Sequence, residues 1–122
     1  MRRISATTAA VAALAAAFVA VTASASAPPV GALPPGPTSV IQTQKGELVA
    51  VALPHRANGR VWRIARPFNA HVVVQVGEGD VGNSVVVVFK ANAAGSTTVT
   101  FALTRGETAK ALESRRFTIR VR

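Results

Sequence analysis

FKANAAGSTTVTFAL, residues 89–103, contains two strand-like halves joined by a turn. Apolar residues and threonines alternate in the second half: Val99, Phe101 and Leu103 on the face expected to pack in a core, Thr98 and Thr100 on the face expected to meet water. The first half ends the apolar run SVVVVFK, residues 84–90, which is typical of a central strand. The small and polar residues between the halves are typical of a turn. The stretch therefore predicts two successive β-strands.

Five further β-type runs surround this stretch and are separated from one another by turn residues. Together with residues 84–90 and 96–103, they are residues 39–43, 47–53, 60–65, 71–76 and 115–122. Seven short strands within about 85 residues predict an all-β fold, an immunoglobulin-like β-sandwich. This sandwich should occupy residues 38–122.

The first 25 residues are typical of a secretory signal peptide. Arg2 and Arg3 precede an uncharged apolar run at residues 9–21, and two Ala-x-Ala cleavage sites follow. Cleavage after Ala25 is preferred, since cleavage after Ala27 would place a proline directly after the cut. The alternative, a membrane anchor, needs about 20 apolar residues, and this run is shorter and rich in alanine. We therefore expect a secreted or periplasmic protein with no stable membrane insertion after cleavage.

Composition sets limits for the mature chain. Residues 26–37 are rich in Pro and Gly and predict an extended linker with little folded structure. The absence of cysteine removes disulfides, thiolate metal sites and a cysteine nucleophile together. Loss of Arg2 and Arg3 leaves 12 of the 14 Lys and Arg residues against 5 Asp and Glu residues, a net charge of +7. Such a surface favours acidic partners, although charged strand faces also serve solubility alone.

The residues give little support for catalysis or metal binding. His55 and His71 are the only histidines, and no pair of carboxylates is marked as flanking a cleft. With Glu78 and Asp80 they are the only plausible metal ligands, and their spacing fits no zinc or calcium motif. We therefore expect a protein that is not an enzyme and has neither a metal site nor a cofactor.

Nucleic-acid binding is not expected either. An extended basic groove with interleaved aromatic residues would indicate it. Most aromatic residues lie instead at core-facing strand positions, which are Trp62, Phe89, Phe101 and Phe117, and Phe68 is the candidate for exposure. Export further separates the protein from nucleic acid.

Three distinctive loops should meet at one end of the sandwich, because alternate connections in such a fold share an end. They are residues 55–59, 77–83 and 104–114. The first contains Asn58-Gly59, the tightest turn signal in the chain, and the second is glycine-rich. Loops on a rigid scaffold commonly carry binding residues, so this end is the predicted binding surface.

Several stretches together resemble the chagasin-type inhibitors of papain-like cysteine peptidases. They are GELVAVALP (46–54), the Gly-x-x-Trp spacing in NGRVW (58–62), GDVGN (79–83), residues 89–103, Arg105 and RRFTIRV (115–121). The similarity extends over residues 39–121. The Pro-Thr-Thr part of the family's first loop is missing here, and Gly106 and Glu107 replace the Pro and aromatic residue of its third loop.

The resemblance implies both a fold and a partner. It implies an immunoglobulin-like sandwich whose three loops enter the active-site cleft of a papain-like cysteine peptidase and inhibit it reversibly. The residues that it implies for contact are His55, Arg56, Ala57, Asn58, Gly59, Gly79, Asp80, Val81, Gly82, Arg105, Gly106 and Glu107. We expect the inhibitor to be a monomer.

A second reading of the same residues remains open. The domain could be a non-inhibitory extracytoplasmic module that binds an acidic protein, a polysaccharide or a membrane surface. Its basic residues would be Arg56, Arg60, Arg63, Arg105 and Lys110. In that case Asn58-Gly59 is simply a hairpin turn, and Gly79 and Gly82 serve only to allow left-handed backbone.

Overall fold

The computed structural model describes residues 28–122 as an all-β protein. The predicted signal peptide and both cleavage sites, within residues 1–27, lie outside the described residues. The seven strands are β1 (Thr38–Thr43), β2 (Leu48–Pro54), β3 (Arg60–Ile64), β4 (Val73–Val81), β5 (Ser84–Ala91), β6 (Gly95–Arg105) and β7 (Glu113–Val121). In this described part no helix is long and apolar enough to cross a membrane.

The strands form two sheets that pack face to face. One sheet has the order β1-β7-β6-β3, and the other has the order β2-β5-β4. β1 runs parallel to β7, whereas all other neighbours are antiparallel. The chain changes sheet between β1 and β2, between β2 and β3, between β3 and β4, and between β5 and β6. The predicted immunoglobulin-like β-sandwich of seven strands is therefore confirmed.

The core lies between the sheets and follows the two-residue period of the sequence. In β2, Val49, Val51 and Leu53 are buried, and the residues between them are exposed. The other sheet contributes Val99 and Phe101 from β6, and both have almost no exposed surface. Such an alternation buries one face of each strand and leaves the other to solvent or to a covering segment.

Strand β4 is longer than the sequence predicted, because residues 77–81 belong to it and not to a loop. Its glycines have low β-propensity, but its partner β5 is rich in valine and holds the segment in an antiparallel ladder. A bulge between Gln75 and Gly77 accommodates the irregularity. Only residues 82–83 remain as the connection to β5.

The central strand β6 is buried on both faces, contrary to the expectation that Thr100 meets water. Thr100 is only 6% exposed and Ala102 is fully buried. In the register of the sheet Ala102 lies between Arg63 and Ser114. Both of these side chains bond to residues 28–37, which we call the N-terminal strap. The strap therefore passes over Ala102 and covers part of the outer face of this sheet.

Four phenylalanines pack as two pairs in and against the core. Phe68, the candidate for exposure, instead packs edge-to-face on Phe89, with 5.8 Å between ring centroids. Phe101 and Phe117 form a second edge-to-face pair at the same spacing, 5.8 Å. Such geometry matches the positive edge of one ring with the negative face of the other. Phe68 is therefore partly buried and packs against the core.

Candidate functional site

The structure brings the three distinctive loops to one end of the sandwich. They are the β2–β3 loop (residues 55–59), the β4–β5 turn (82–83) and the β6–β7 loop (106–112). The amide of His55 donates to the carbonyl of Asn83 over 2.8 Å. The amide of Gly106 donates to the carbonyl of Gly59, also over 2.8 Å. The β2–β3 loop is therefore the middle of the three and is tied to both neighbours.

The Asn58-Gly59 turn forms the tip of the middle loop, but it is not a hairpin. Asn58 has a φ of 65° and Gly59 a φ of 75°, a pair of left-handed residues that Asn-Gly adopts at low cost. The strands before and after it lie in different sheets, so no ladder continues from the turn. Arg60 Nε donates to the carbonyl of Ala57 over 2.9 Å and closes the turn. The tip, residues 57–59, is exposed.

Arg56 does not project from the loop, because its side chain pairs with Glu113 at the start of β7. Arg56 Nε and Nη2 donate to the two carboxylate oxygens over 2.9 and 3.0 Å. About a third of each side chain is exposed, 32% for Arg56 and 34% for Glu113. The hydrogen bond from Arg56 lowers the pKa of Glu113, and the charges of Arg56, Arg115 and Arg60 act in the same direction. The pair therefore joins the first loop to the base of the third.

Trp62 lies beneath the β2–β3 loop and contacts residues of both sheets. Its Nε1 donates to the carbonyl of Pro54, the last residue of β2, over 2.8 Å. The guanidinium carbon of Arg115 lies 5.8 Å from the ring centroid, within the range of a cation–π contact. The ring also packs against the core cluster. Trp62 is thus a framework residue that connects both sheets beneath the β2–β3 loop.

The second predicted contact segment, residues 79–82, is mostly strand and not the loop that the sequence predicts. Gly79, Asp80 and Val81 are the last residues of β4, and only Gly82 lies in the turn. Val81 is 64% exposed, which leaves an apolar side chain beside the tip. Asp80 Oδ1 lies 3.6 Å from His55 Nε2, and both side chains are largely exposed.

A cleft of about 250 Å³ separates this segment from the β2–β3 loop. Its lining includes His55, Arg56, Arg60, Trp62, Glu78 and Asp80. The cleft has basic residues on one side and acidic residues on the other.

The third segment, residues 105–107, is exposed throughout. Arg105 is the last residue of β6 and pairs in register with Arg60. The hydroxyl of Thr104 donates to the carbonyl of Gly106 over 2.6 Å, which fixes the start of the loop. Arg105 and Glu107 project their charges into solvent beside the tip.

Sequence reasoning missed the residues that hold the loops in place. Glu113 lies 57 positions from Arg56, so no local spacing signals their pairing. Asn83 and Arg115 were likewise assigned no role, although each contacts a residue of the first loop or the tryptophan beneath it. The scarcity of acidic residues among many arginines was the one available signal that Glu113 has a basic partner.

The basic residues of the alternative binding module are mostly engaged within the molecule. Arg56 bonds Glu113, Arg60 bonds the carbonyl of Ala57, and Arg63 Nη2 donates to the carbonyl of Pro28 over 2.7 Å. Arg105, the last residue of β6, and Lys110, in the β6–β7 loop, are exposed. Across residues 28–122 no three His, Asp or Glu side chains lie close enough together to hold a metal ion.

Comparison with known proteins finds similarity in fold only. No protein-family profile matches the chain, and no curated protein matches its sequence. The fold is similar to the crystal structure of the cysteine protease inhibitor EhICP2 from Entamoeba histolytica, with a TM-score of 0.52 and 15% sequence identity. The match covers 73% of this chain and 99% of that chain. This similarity establishes the fold.

Proposed function

We propose that this protein is an exported, reversible inhibitor of papain-like cysteine peptidases. The observation that carries the proposal is the joining of three exposed loops at one end of the sandwich by backbone bonds and by the Arg56–Glu113 pair. The similarity of its fold to that of a cysteine protease inhibitor supports it. Pre-ordered loops favour binding, because little conformational entropy remains to be lost on association.

In this proposal the tip, residues 57–59, enters the active-site cleft and presents backbone to the catalytic cysteine. The positive φ values of Asn58 and Gly59 hold the chain in a turn, whereas cleavage by a peptidase needs an extended segment. The carbonyl of Gly59 already accepts a bond from Gly106, which keeps this peptide unit in place. The tip would therefore occupy the cleft as an inhibitor and not as a substrate.

The flanking segments would contact the peptidase on either side of the tip. Residues 79–82 offer the exposed Val81 on one side, and residues 105–107 offer Arg105 on the other. In this proposal Arg56 positions the β2–β3 loop, since Nε and Nη2 of its guanidinium are bonded to Glu113.

The test is inhibition of papain by the mature chain, residues 26–122. We expect competitive inhibition that is reversed by dilution, with trypsin, a serine peptidase, as the control that remains uninhibited. Absence of inhibition at about 10 μM would contradict the proposal, since it corresponds to binding weaker than about −7 kcal/mol.

A further inference from the structure

The start of the N-terminal strap, residues 28–37, is attached to the sandwich by arginines of β3 and of the segment that follows it. Arg66 donates through Nη1 to the carbonyl of Val30 over 3.0 Å and through Nη2 to the carbonyl of Gly31 over 2.8 Å. The side chain of Val30 is buried, with 9% of its surface exposed. A planar guanidinium that holds two successive carbonyls fixes the direction of the segment as well as its position.

The second half of the strap is fixed against the start of β7. The hydroxyl of Ser114 donates to the carbonyl of Pro34 over 2.6 Å, and the amide of Arg116 donates to the carbonyl of Pro37 over 3.0 Å. Gly36 touches this strand so closely that a Cβ there would overlap the carbonyl of Ser114. The close approach therefore requires glycine at position 36.

The strap also contacts the β6–β7 loop. The amide of Gly31 donates to the carbonyl of Ala109 over 2.8 Å. The ends of the loop are fixed by Gly106, which bonds Gly59, and by Leu112, whose amide donates to Leu103 over 2.7 Å. Ala109 lies halfway between those ends, so the strap holds the middle of the loop.

We propose that the strap is a conformational device that keeps the β6–β7 loop in its binding geometry and so sets the affinity of the inhibitor. The effect on affinity rests on the proposed function, whereas the effect on the loop does not. A loop that is ordered before association loses less conformational entropy in the complex, and release of the strap would remove that advantage. Arg66 follows β3 at the end of that strand away from the three loops. By bonding residues 30 and 31, it helps to fix the β6–β7 loop at the binding end.

The test uses two strap variants of the mature chain, each with a matched control. Gly36→Ala forces the strap away from β7, and Gly77→Ala is its control, because a Cβ at Gly77 meets no atom within 4 Å. Gly77 lies in the middle of β4, outside the proposed contact residues. Arg66→Ala removes the hold on residues 30 and 31, and its control Arg120→Ala removes an exposed arginine from β7.

The first measurement is the rate of limited tryptic cleavage after Lys110, followed by mass spectrometry. Lys110 lies in the middle of the β6–β7 loop, beside the strap. We expect cleavage about tenfold faster in both strap variants than in their controls, since proteolysis follows local opening. Unchanged cleavage in the strap variants would overturn the proposal. Arg66→Ala decides the question if Gly36→Ala fails to fold.

The second measurement is the papain inhibition constant of the same proteins. We expect it to rise about tenfold in the strap variants and to stay within about twofold in the controls. Faster cleavage after Lys110 with unchanged inhibition would overturn the link between strap and affinity. A wild-type chain that does not inhibit papain would contradict the proposed function, and the cleavage rates alone would still decide whether the strap holds the loop.

Discussion

At the scale of single residues, Trp62 shows how one side chain can serve both sheets. It belongs to β3, packs on the core, and bonds the end of β2 through Nε1. The sequence predicted its core-facing position from alternation with Val61 and Arg63. It could not predict the bond to Pro54 or the stacked Arg115, because these depend on how the two sheets are placed against each other.

Replacement of this residue should destabilise the whole domain. We expect Trp62→Ala to lower the free energy of unfolding by about 3 kcal/mol, the lower end of the range for packed aromatics, because the ring is only half-buried. Trp62→Phe keeps most of the ring and loses the bond to Pro54, so its effect should be smaller. Urea unfolding followed by circular dichroism measures both. A larger loss in Trp62→Phe would contradict this account of the residue.

The Arg56–Glu113 pair should make stability depend on pH in a defined direction. Because the hydrogen bond from Arg56 lowers the pKa of Glu113 in the folded chain, the stabilisation is present above the pKa of the unfolded chain. It is lost as the pH falls through the lower folded pKa. We expect wild type to have a higher urea midpoint than Glu113→Gln at pH 7, and the difference to shrink below about pH 4.

A matched carboxylate variant serves as the control for this measurement. Glu107→Gln removes an exposed carboxylate from the loop that precedes β7. Unlike Glu113, Glu107 is not paired with an arginine in residues 28–122. A difference between wild type and Glu113→Gln that grows as the pH falls would contradict the pairing.

At the scale of elements, the strands with clear alternation were predictable and the glycine-rich end of β4 was not. Residues 96–103 alternate in polarity and residues 84–90 form a continuous apolar run, so both strands followed from the sequence. Residues 77–81 have a composition typical of a loop and become a strand only because β5 supplies an antiparallel partner. A contact between strands thus overrode local propensity.

The turn that follows β4 gives a test of this longer hairpin. Gly82 has a φ of 59°, and the two-residue connection to β5 needs a left-handed residue at its first position. We expect Gly82→Ala to destabilise the domain by about 1–3 kcal/mol. Gly77→Ala, at a strand position without positive φ, is the control and should be close to neutral. Equal effects in urea unfolding would count against a tight turn at residues 82–83.

At the scale of the whole molecule, the sequence predicted the sandwich and the end at which its loops meet. It did not predict that the N-terminal strap packs on one sheet and contacts the third loop. Residues 28–37 have the composition of a linker, and their partners Arg63 and Arg66 lie about 35 positions away. Proline and glycine indicate that a segment lacks regular secondary structure, but they do not indicate whether it packs against the rest of the fold. The covered face of β6, and Thr100 with it, was missed for this reason.

The central proposal is that the loop end of the sandwich binds a papain-like cysteine peptidase. A pair of bulky substitutions tests it most directly. Ala57 lies exposed at the tip, and Ala94 lies exposed in the β5–β6 turn at the opposite end of the sandwich. We expect Ala57→Trp to raise the papain inhibition constant by tenfold or more, a loss of at least about 1.4 kcal/mol, and Ala94→Trp to leave it within about twofold. Equal inhibition by the two variants would contradict the claim.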